Sequence, residues 1–412
     1  MAVSRKDGKG RALRKGESFR PSDGRYVFSY TDAYHIRHFI YSSDLAKLRE
    51  KEDILKRDQL DGIDSYLAGR ITLNEMFDRY ISLKTNLRRT TKTNYIYMYN
   101  KFVRPKFGTR ILGEIRYTDV RAFYKHLIVD GGMQANTAST IHCVLYPTFQ
   151  MAVRDDIIRK NPTAGVLREI GDEVGKNKGV RHALTVEQQT AFMKFIKGHP
   201  VYDHWWTVFT VLLGTGLRCG EFIGLRWQDI DMEKRMINVN HALVRVSVKP
   251  GDRARRLGVS LPKTEAGIRT IPMMEQVLEA FKEEYERQSD IGFNKTVIEG
   301  MSGFIFQNSY GKVMCEQNIN SAISRITEEY NHVENVRAAK EKREPVYLPH
   351  FSCHHLRHTF CTRLCENEQN LKVIQSIMGH ANIKTTMDVY AEATDDKKQE
   401  SIDKLSDIWK DF

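Results

Sequence analysis

Cys353-His354-His355-Leu356-Arg357-His358-Thr359-Phe360 is the densest run of chemically active side chains in the protein. His354 and Arg357 stand three apart, so on a helix they share a face. Toward the C-terminus comes Ile377-Met378-Gly379-His380, and Tyr390 lies ten residues beyond that histidine. In the other direction, Leu261-Pro262-Lys263-Thr264-Glu265-Ala266-Gly267-Ile268-Arg269-Thr270-Ile271-Pro272 reads as a hairpin with Glu265-Ala266-Gly267 in the turn and Lys263 beside it. Further back, Leu213-Gly214-Thr215-Gly216-Leu217-Arg218-Cys219-Gly220-Glu221 reads as a helix broken by two glycines, with Arg218 at the restart and Glu221 three residues on. Each feature has a plain structural explanation by itself. Arg218 would serve as a surface ion pair, His380 as a hydrogen-bonded core histidine, and Tyr390 as a packed aromatic. Their order along one chain is the specific signal.

The composition narrows the function classes. At roughly 150 residues per domain, 412 residues imply two or three domains. Lys and Arg number 64 against 52 Asp and Glu, for a net charge of +12. Such a surface attracts polyanions, nucleic acid first and anionic membrane second. No apolar run approaches the ~18 residues of a membrane span, and the polar N-terminus lacks the apolar core of a secretory signal. The six cysteines, at 143, 219, 315, 353, 361 and 365, are too scattered for a disulfide framework, and a reduced cytoplasmic setting is expected.

Outward from the motifs, the chain falls into zones. Residues 1–66 open basic, with Arg5 to Arg25 rich in Lys and Arg. Tyr26, Phe28 and Tyr30 then alternate as on one face of a strand, and Arg37-His38-Phe39-Ile40-Tyr41 forms a second β-rich run. Ser43 or Asp44 is placed to cap a charged helix reaching Leu60. A small sheet plus one helix is expected here, the alternative being a solubilising or phosphate-binding arm without fixed structure.

Residues 70–168 read as four helices. Thr72-Leu73-Asn74-Glu75 has capping-box spacing. Leu73, Met76, Phe77, Tyr80 and Ile81 follow it at helical intervals. A second helix carries Tyr95, Met98 and Phe102 and is entered through Arg88, Arg89 and Lys92. A third buries Val120, Phe123 and Leu127 and ends at Gly131-Gly132, and a fourth runs from Asn136 through Ala152 to a close at Asn161-Pro162. Residues 169–183 read as a Gly-rich charged linker. Residues 184–390 are mixed, opening on a helix capped at Thr185 and continuing through short strands between Met236 and Pro272. In the tail, 391–412, Ile402, Leu405, Ile408, Trp409 and Phe412 lie at helical intervals, suited to docking on the parent domain or on a neighbouring protomer.

Taken in order, Arg218, Lys263, His354-x-x-Arg357, His380 and Tyr390 resemble the signature of the tyrosine recombinase (phage integrase) family, closest to integrases of conjugative transposons. His354 is preferred to His355 because it alone has the three-residue spacing to Arg357, and Glu221 matches an acidic position that often follows the first arginine. The resemblance covers nearly the whole chain. It implies an α+β, multidomain, mostly helical protein with a small N-terminal sheet module and a catalytic domain carrying a small antiparallel sheet. It also implies site-specific cutting and rejoining of duplex DNA through a 3′-phosphotyrosyl link.

In that reading two arginines fork onto the nonbridging oxygens of the scissile phosphate. An ordinary phenol is only about one part in a thousand ionised at pH 7, so His354 would accept the nucleophile's proton. His380 would donate to a phosphate oxygen, and Lys263 would protonate the departing 5′ oxygen. No metal or cofactor is expected. Cys353, His354, His355, His358, Cys361 and Cys365 are potential zinc ligands, but their spacing is not that of a standard finger and Leu356-Arg357 interrupts them. The expected partners are duplex DNA at core sites and arm sites, three further copies in a tetramer, an excisionase and host DNA-bending proteins. Arg25, Arg37, Arg88, Arg89 and Lys92 are the expected DNA contacts outside the catalytic set. Two other classes stay open: a DNA-binding regulator that kept the fold without catalysis, and a type IB topoisomerase.

Overall fold

In the computed structural model, residues 5–31, 36–60, 62, 64–174, 182–247, 255–262 and 267–394 are described. The chain divides into two compact units, one built mainly from residues 1–178 and the other beginning at residue 179.

The first unit opens with an antiparallel sheet, β1 (Glu17–Arg20), β2 (Arg25–Thr31) and β3 (Arg37–Ser42), in that spatial order. The register pairs Tyr26 with Phe19 and Ser42, and Phe28 with Glu17 and Ile40. Directly opposed residues share a face, so the alternating aromatics lie on one side. There Tyr26 and Phe28 are buried with Leu45, Leu48 and Leu55 of α1 (Leu45–Leu60). Asp44 is the cap: its Oδ1 accepts from the backbone N–H of Ala46 and Lys47. The opposite face carries Arg20, Arg25, Arg37, Phe39 and Tyr41.

After the short α2 (Ser65–Ala68) come α3 (Leu73–Leu83), α4 (Arg89–Met98), α5 (Tyr117–Lys125) and α6 (Ala135–Arg154). The capping box at Thr72 and Glu75 forms as its spacing predicts. The face of the third helix differs from expectation. Val120, Tyr124 and Ile128 are buried, whereas Phe123 and Leu127 are half-buried at the edge. Positions 120, 124 and 128 make an unbroken i, i+4 row, and a π-helical turn over His126–Asp130 continues it. The expected linker also begins later than 169. Residues Val166–Val174 form α7, and Val166 and Ile170, four apart, are buried in the bundle core.

The second unit starts with α8 (Val186–Ile196), whose capping box joins Thr185 and Gln188. The next helix, α9 (Trp206–Thr215), is buried on nearly every side and ends at Gly216, whose φ of 60° is left-handed. Gly214 does not break the helix. It lies inside α9 where an added Cβ would come within 2.4 Å of Val277 Cγ2, so it serves close packing. Then come α10 (Cys219–Gly224), β4 (Ile230–Asp231), β5 (Met236–Val239), β6 (Ala242–Ser247), β7 (Arg255–Ser260) and β8 (Arg269–Pro272).

The expected hairpin over Leu261–Pro272 is not what pairs. β8 joins β5, with Ile271 opposite Ile237 and Arg269 opposite Val239, while β7 joins β6. Pro262 lacks the N–H a ladder needs, and pairing with β5 buries Ile237, Val239 and Ile271 in the main core. Among the described residues five helices complete the unit: α11 (Glu275–Ile291), α12 (Glu316–Glu341), α13 (Cys353–Asn367), α14 (Leu371–Met378) and α15 (Ile383–Thr394). The tail beyond residue 394 lies outside the described residues, as do Lys263 and the turn residues Glu265 and Ala266. No helix among the described residues is long and apolar enough to cross a membrane.

Candidate active site

Helix α14 is two turns long and stops at Gly379, whose φ of 62° is left-handed. The last carbonyls of a helix have no intrahelical partner. Here three arginines from three other elements take them. Arg269 Nε on β8 donates to the Ile377 carbonyl at 2.7 Å, and Arg357 Nη2 on α13 to that of Met378 at 2.6 Å. Arg218 Nη2, at the start of α10, donates to the Gly379 carbonyl at 2.8 Å. The cations also complement the negative end of the helix dipole.

Arg357 is buried, and its Nη1 donates to the carbonyl of Gly216 at 2.6 Å. Burial, with Arg218 nearby, pushes its pKa down to about 9. It therefore stays cationic at neutral pH, in a field that is already positive. The Arg218 side chain is 40% exposed. Its Nη1 donates to Glu221 Oε1 at 2.7 Å, and its backbone N–H donates to Oε2 at 3.0 Å. Burial alone would raise the pKa of Glu221. Hydrogen bonds from Arg269 and the charges of Arg269 and Arg218 outweigh it and hold the carboxyl at about 2. Glu221 is the one carboxylate hydrogen-bonded to any of the three arginines among the described residues.

His380 follows Gly379 directly and is buried, its Nδ1 3.0 Å from Thr386 Oγ1. Burial and the charges of Arg357, Arg218 and Arg269 lower its pKa to about 4, so the ring is neutral at pH 7. A Thr386 hydroxyl donating to Nδ1 would leave the ring proton on Nε2, where it can be donated.

The adjacent histidines of α13 separate clearly. His355 caps the helix: its Nδ1 accepts from the backbone N–H of Ser352 at 3.1 Å and lies 3.0 Å from the Ser352 hydroxyl. His354 is exposed on the first turn, one turn before Arg357. Tyr390 is on α15, half-buried against the cluster of Cys361, Cys365, Ile374 and Met378. Cys361 and Cys365 thus act as core packing for the helix that bears the tyrosine.

The structure therefore brings Arg218, Glu221, Arg357 and His380 together, with His354 and Tyr390 on helices packed beside them. Arg269 was not picked out from the sequence. Its signal was an arginine at the inward position of an alternating strand, beside Ile271 two residues on.

Away from this centre, Arg25 and Arg37 lie on the face of the N-terminal sheet that turns away from α1. Arg25 pairs with Asp23 at 3.0 Å, and Arg37 Nη2 donates to Ser29 Oγ at 3.2 Å. Arg20 and Arg25 lie over the ring of Tyr41, and Arg37 over that of Phe39. Arg88 and Arg89 are exposed at the start of α4, with Lys92 one turn in. Cations there oppose the helix dipole, a cost that a bound anion would relieve.

Comparison with known proteins supplies a frame for this geometry. A family model described as the phage integrase family matches residues 182–397, and one described as the DNA binding domain of tn916 integrase matches residues 1–59. The chain is 32% identical to the transposase from transposon Tn1545 of Streptococcus agalactiae and 31% identical to that from transposon Tn916 of Enterococcus faecalis, each comparison covering 98% of both chains. Among solved structures, the Tn1549 transposon integrase in complex with transposon right end DNA is similar with a TM-score of 0.69 and 29% identity. That match covers 82% of this chain and all of the other.

Proposed function

Because the chain belongs to the phage integrase family of tyrosine recombinases, we propose that it is the integrase of a mobile element of the conjugative-transposon kind, cutting and rejoining duplex DNA through Tyr390. The observation that carries the site assignment is the charge surplus at the end of α14. Three guanidinium groups meet one carboxylate, and the histidine between them is neutral. A desolvated cationic site of this kind is matched by an anion with several acceptor oxygens, and a phosphodiester is such an anion.

Arg218 and Arg357 are the clamp. Each guanidinium has five N–H groups, and those not spent on Glu221 or on backbone carbonyls reach the nonbridging oxygens. As charge builds up in the transition state, these fixed donors stabilise it without reorganising. His380 adds its Nε2–H to a phosphate oxygen. His354 takes the phenol proton as the Tyr390 oxygen attacks phosphorus. The bond to the 5′ oxygen breaks, and Lys263 protonates that oxygen. The 3′-phosphotyrosyl link conserves the bond, so a second 5′ hydroxyl displaces Tyr390 and restores the diester.

The N-terminal sheet face with Arg25, Arg37, Phe39 and Tyr41 reads arm sites, and Arg88, Arg89 and Lys92 hold the core-site backbone. The active assembly is a tetramer on DNA in the bacterial cytoplasm, helped by an excisionase and host bending proteins, with the tail docking in cis or in trans.

A duplex of the element end, nicked just beside the crossover so that the cleaved strand diffuses away, tests the reading. Wild type accumulates a covalent adduct, and Tyr390→Phe binds the duplex equally but forms none. Binding without any wild-type adduct would reduce the protein to a DNA-binding regulator, and an adduct with Tyr390→Phe would move the nucleophile elsewhere.

A further inference from the structure

Arg269 belongs to no part of the residue pattern that carries the family resemblance, yet it is buried, like Arg357, at the end of α14. Its side chain is only 4% exposed. All three of its nitrogens are engaged. Nη1 and Nη2 donate to the two oxygens of Glu221 at 3.2 and 2.9 Å, and Nε donates to the Ile377 carbonyl at 2.7 Å. Glu221 is the carboxylate that orients Arg218, and Ile377 begins the turn that presents His380. Gly379 is fitted to this guanidinium: a Cβ there would stand 2.8 Å from Nη1 of Arg269. If the position only filled space, an apolar side chain would do so without burying a charge. The fork is instead spent on the two features that aim the clamp.

We propose that Arg269 is a positioning residue for strand cleavage, locking Glu221, and through it Arg218, to the end of α14 so that Arg218, Arg357 and His380 face one phosphate. This rests on the site reading proposed above. Arg269 touches no reacting atom. It acts by bridging strand β8 to the helix end, and it adds to the positive field that keeps His380 neutral.

The test uses the full-length protein, the variants Arg269→Gln and Arg269→Lys, and two nicked duplexes. One carries an ordinary scissile phosphate. The other carries a methylphosphonate, in which a methyl group replaces one nonbridging oxygen. The methylphosphonate is uncharged, so it depends little on a well-aimed guanidinium clamp.

On the phosphate, Arg269→Gln slows adduct formation at saturating DNA by about a hundredfold, the loss expected when a catalytic group is misplaced by about 1 Å. Arg269→Lys keeps the charge without the fork and falls between the two. It also keeps the test open should the glutamine variant fail to fold. On the methylphosphonate, variants and wild type agree within about threefold. DNA affinity in a mobility shift is unchanged throughout. Equal losses on both substrates would assign Arg269 to folding alone and overturn the proposal, as would near-wild-type cleavage of the phosphate by Arg269→Gln. Wild type that forms no adduct on either duplex would overturn the Tyr390 reading, and this proposal with it.

Discussion

Replacing Glu221 by glutamine keeps the shape of the side chain and removes its charge, and the structure sets the size of the effect. Folding lowers the Glu221 pKa from 4.5 to about 2. At 1.36 kcal/mol per unit, the native environment favours the ionised form by roughly 3 kcal/mol. The Glu221 and Arg269 side chains are 8% and 4% exposed, so solvent screens them little. Removing one partner of a buried pair strands the other, typically at about 3–5 kcal/mol. Glu221→Gln is therefore expected to cost about 3 kcal/mol at pH 7.

The pH dependence has a definite sign. Because the folded pKa is depressed, the contribution is complete above pH 4.5 and is lost as the pH falls toward about 2. At pH 3.5 the gap between variant and wild type shrinks by about 1.4 kcal/mol. Urea unfolding followed by tryptophan fluorescence reads this, because the tryptophans among the described residues, Trp205, Trp206 and Trp227, lie in the second unit. A variant within about 1 kcal/mol of wild type at pH 7, or a gap that does not narrow in acid, would refute the ion-pair account.

Three further substitutions probe the same centre. Gly379→Ala forces a left-handed φ on a residue with a Cβ and drives that atom toward Arg269. It is expected to lower stability by about 1–3 kcal/mol and to slow adduct formation, both measured as above; wild-type cleavage would show that the turn tolerates displacement. The adjacent histidines should separate by assay: His355→Ala loses the cap of α13 and about 0.5–2 kcal/mol of stability but retains cleavage, whereas His354→Ala keeps stability and loses cleavage. The reverse pattern would exchange their assignments.

What could be read in the sequence was local. The capping box at Thr72 and the cap at Thr185 involve residues only three apart, and both form. The alternation of Tyr26, Phe28 and Tyr30 needs only the two-residue period of a strand, and it places two of the three in the core of the N-terminal module. The order Arg218, His354, Arg357, His380 and Tyr390 marks the proposed functional residues without saying where each lies in space. What escaped depended on distant partners. β8 chose β5 over β7 because of side chains some thirty residues away, from Ile237 opposite Ile271. The third bundle helix turned Tyr124 inward rather than Phe123, a choice made by neighbouring helices. Arg269 looked like one basic residue among 64 until its carboxylate, 48 positions earlier in the chain, was known.

The same reasoning explains why the centre is built on a helix end. A carboxylate facing each arginine would have neutralised the site and left nothing for a phosphodiester to satisfy. With no hydrogen-bonding partner at all, three cations would repel one another out of the fold. Backbone carbonyls at the end of α14 lie between these limits. They accept one hydrogen bond from each guanidinium and carry only the fractional negative charge of a helix terminus, about half an electron. Glu221 cancels one charge of the three, and the rest stays fixed, oriented and unneutralised. His380, kept neutral by that field, adds a donor without adding charge. The proposed site thus holds its cations firmly enough to be rigid and loosely enough that an anion is still needed, which is the electrostatic condition for stabilising a transition state on phosphorus.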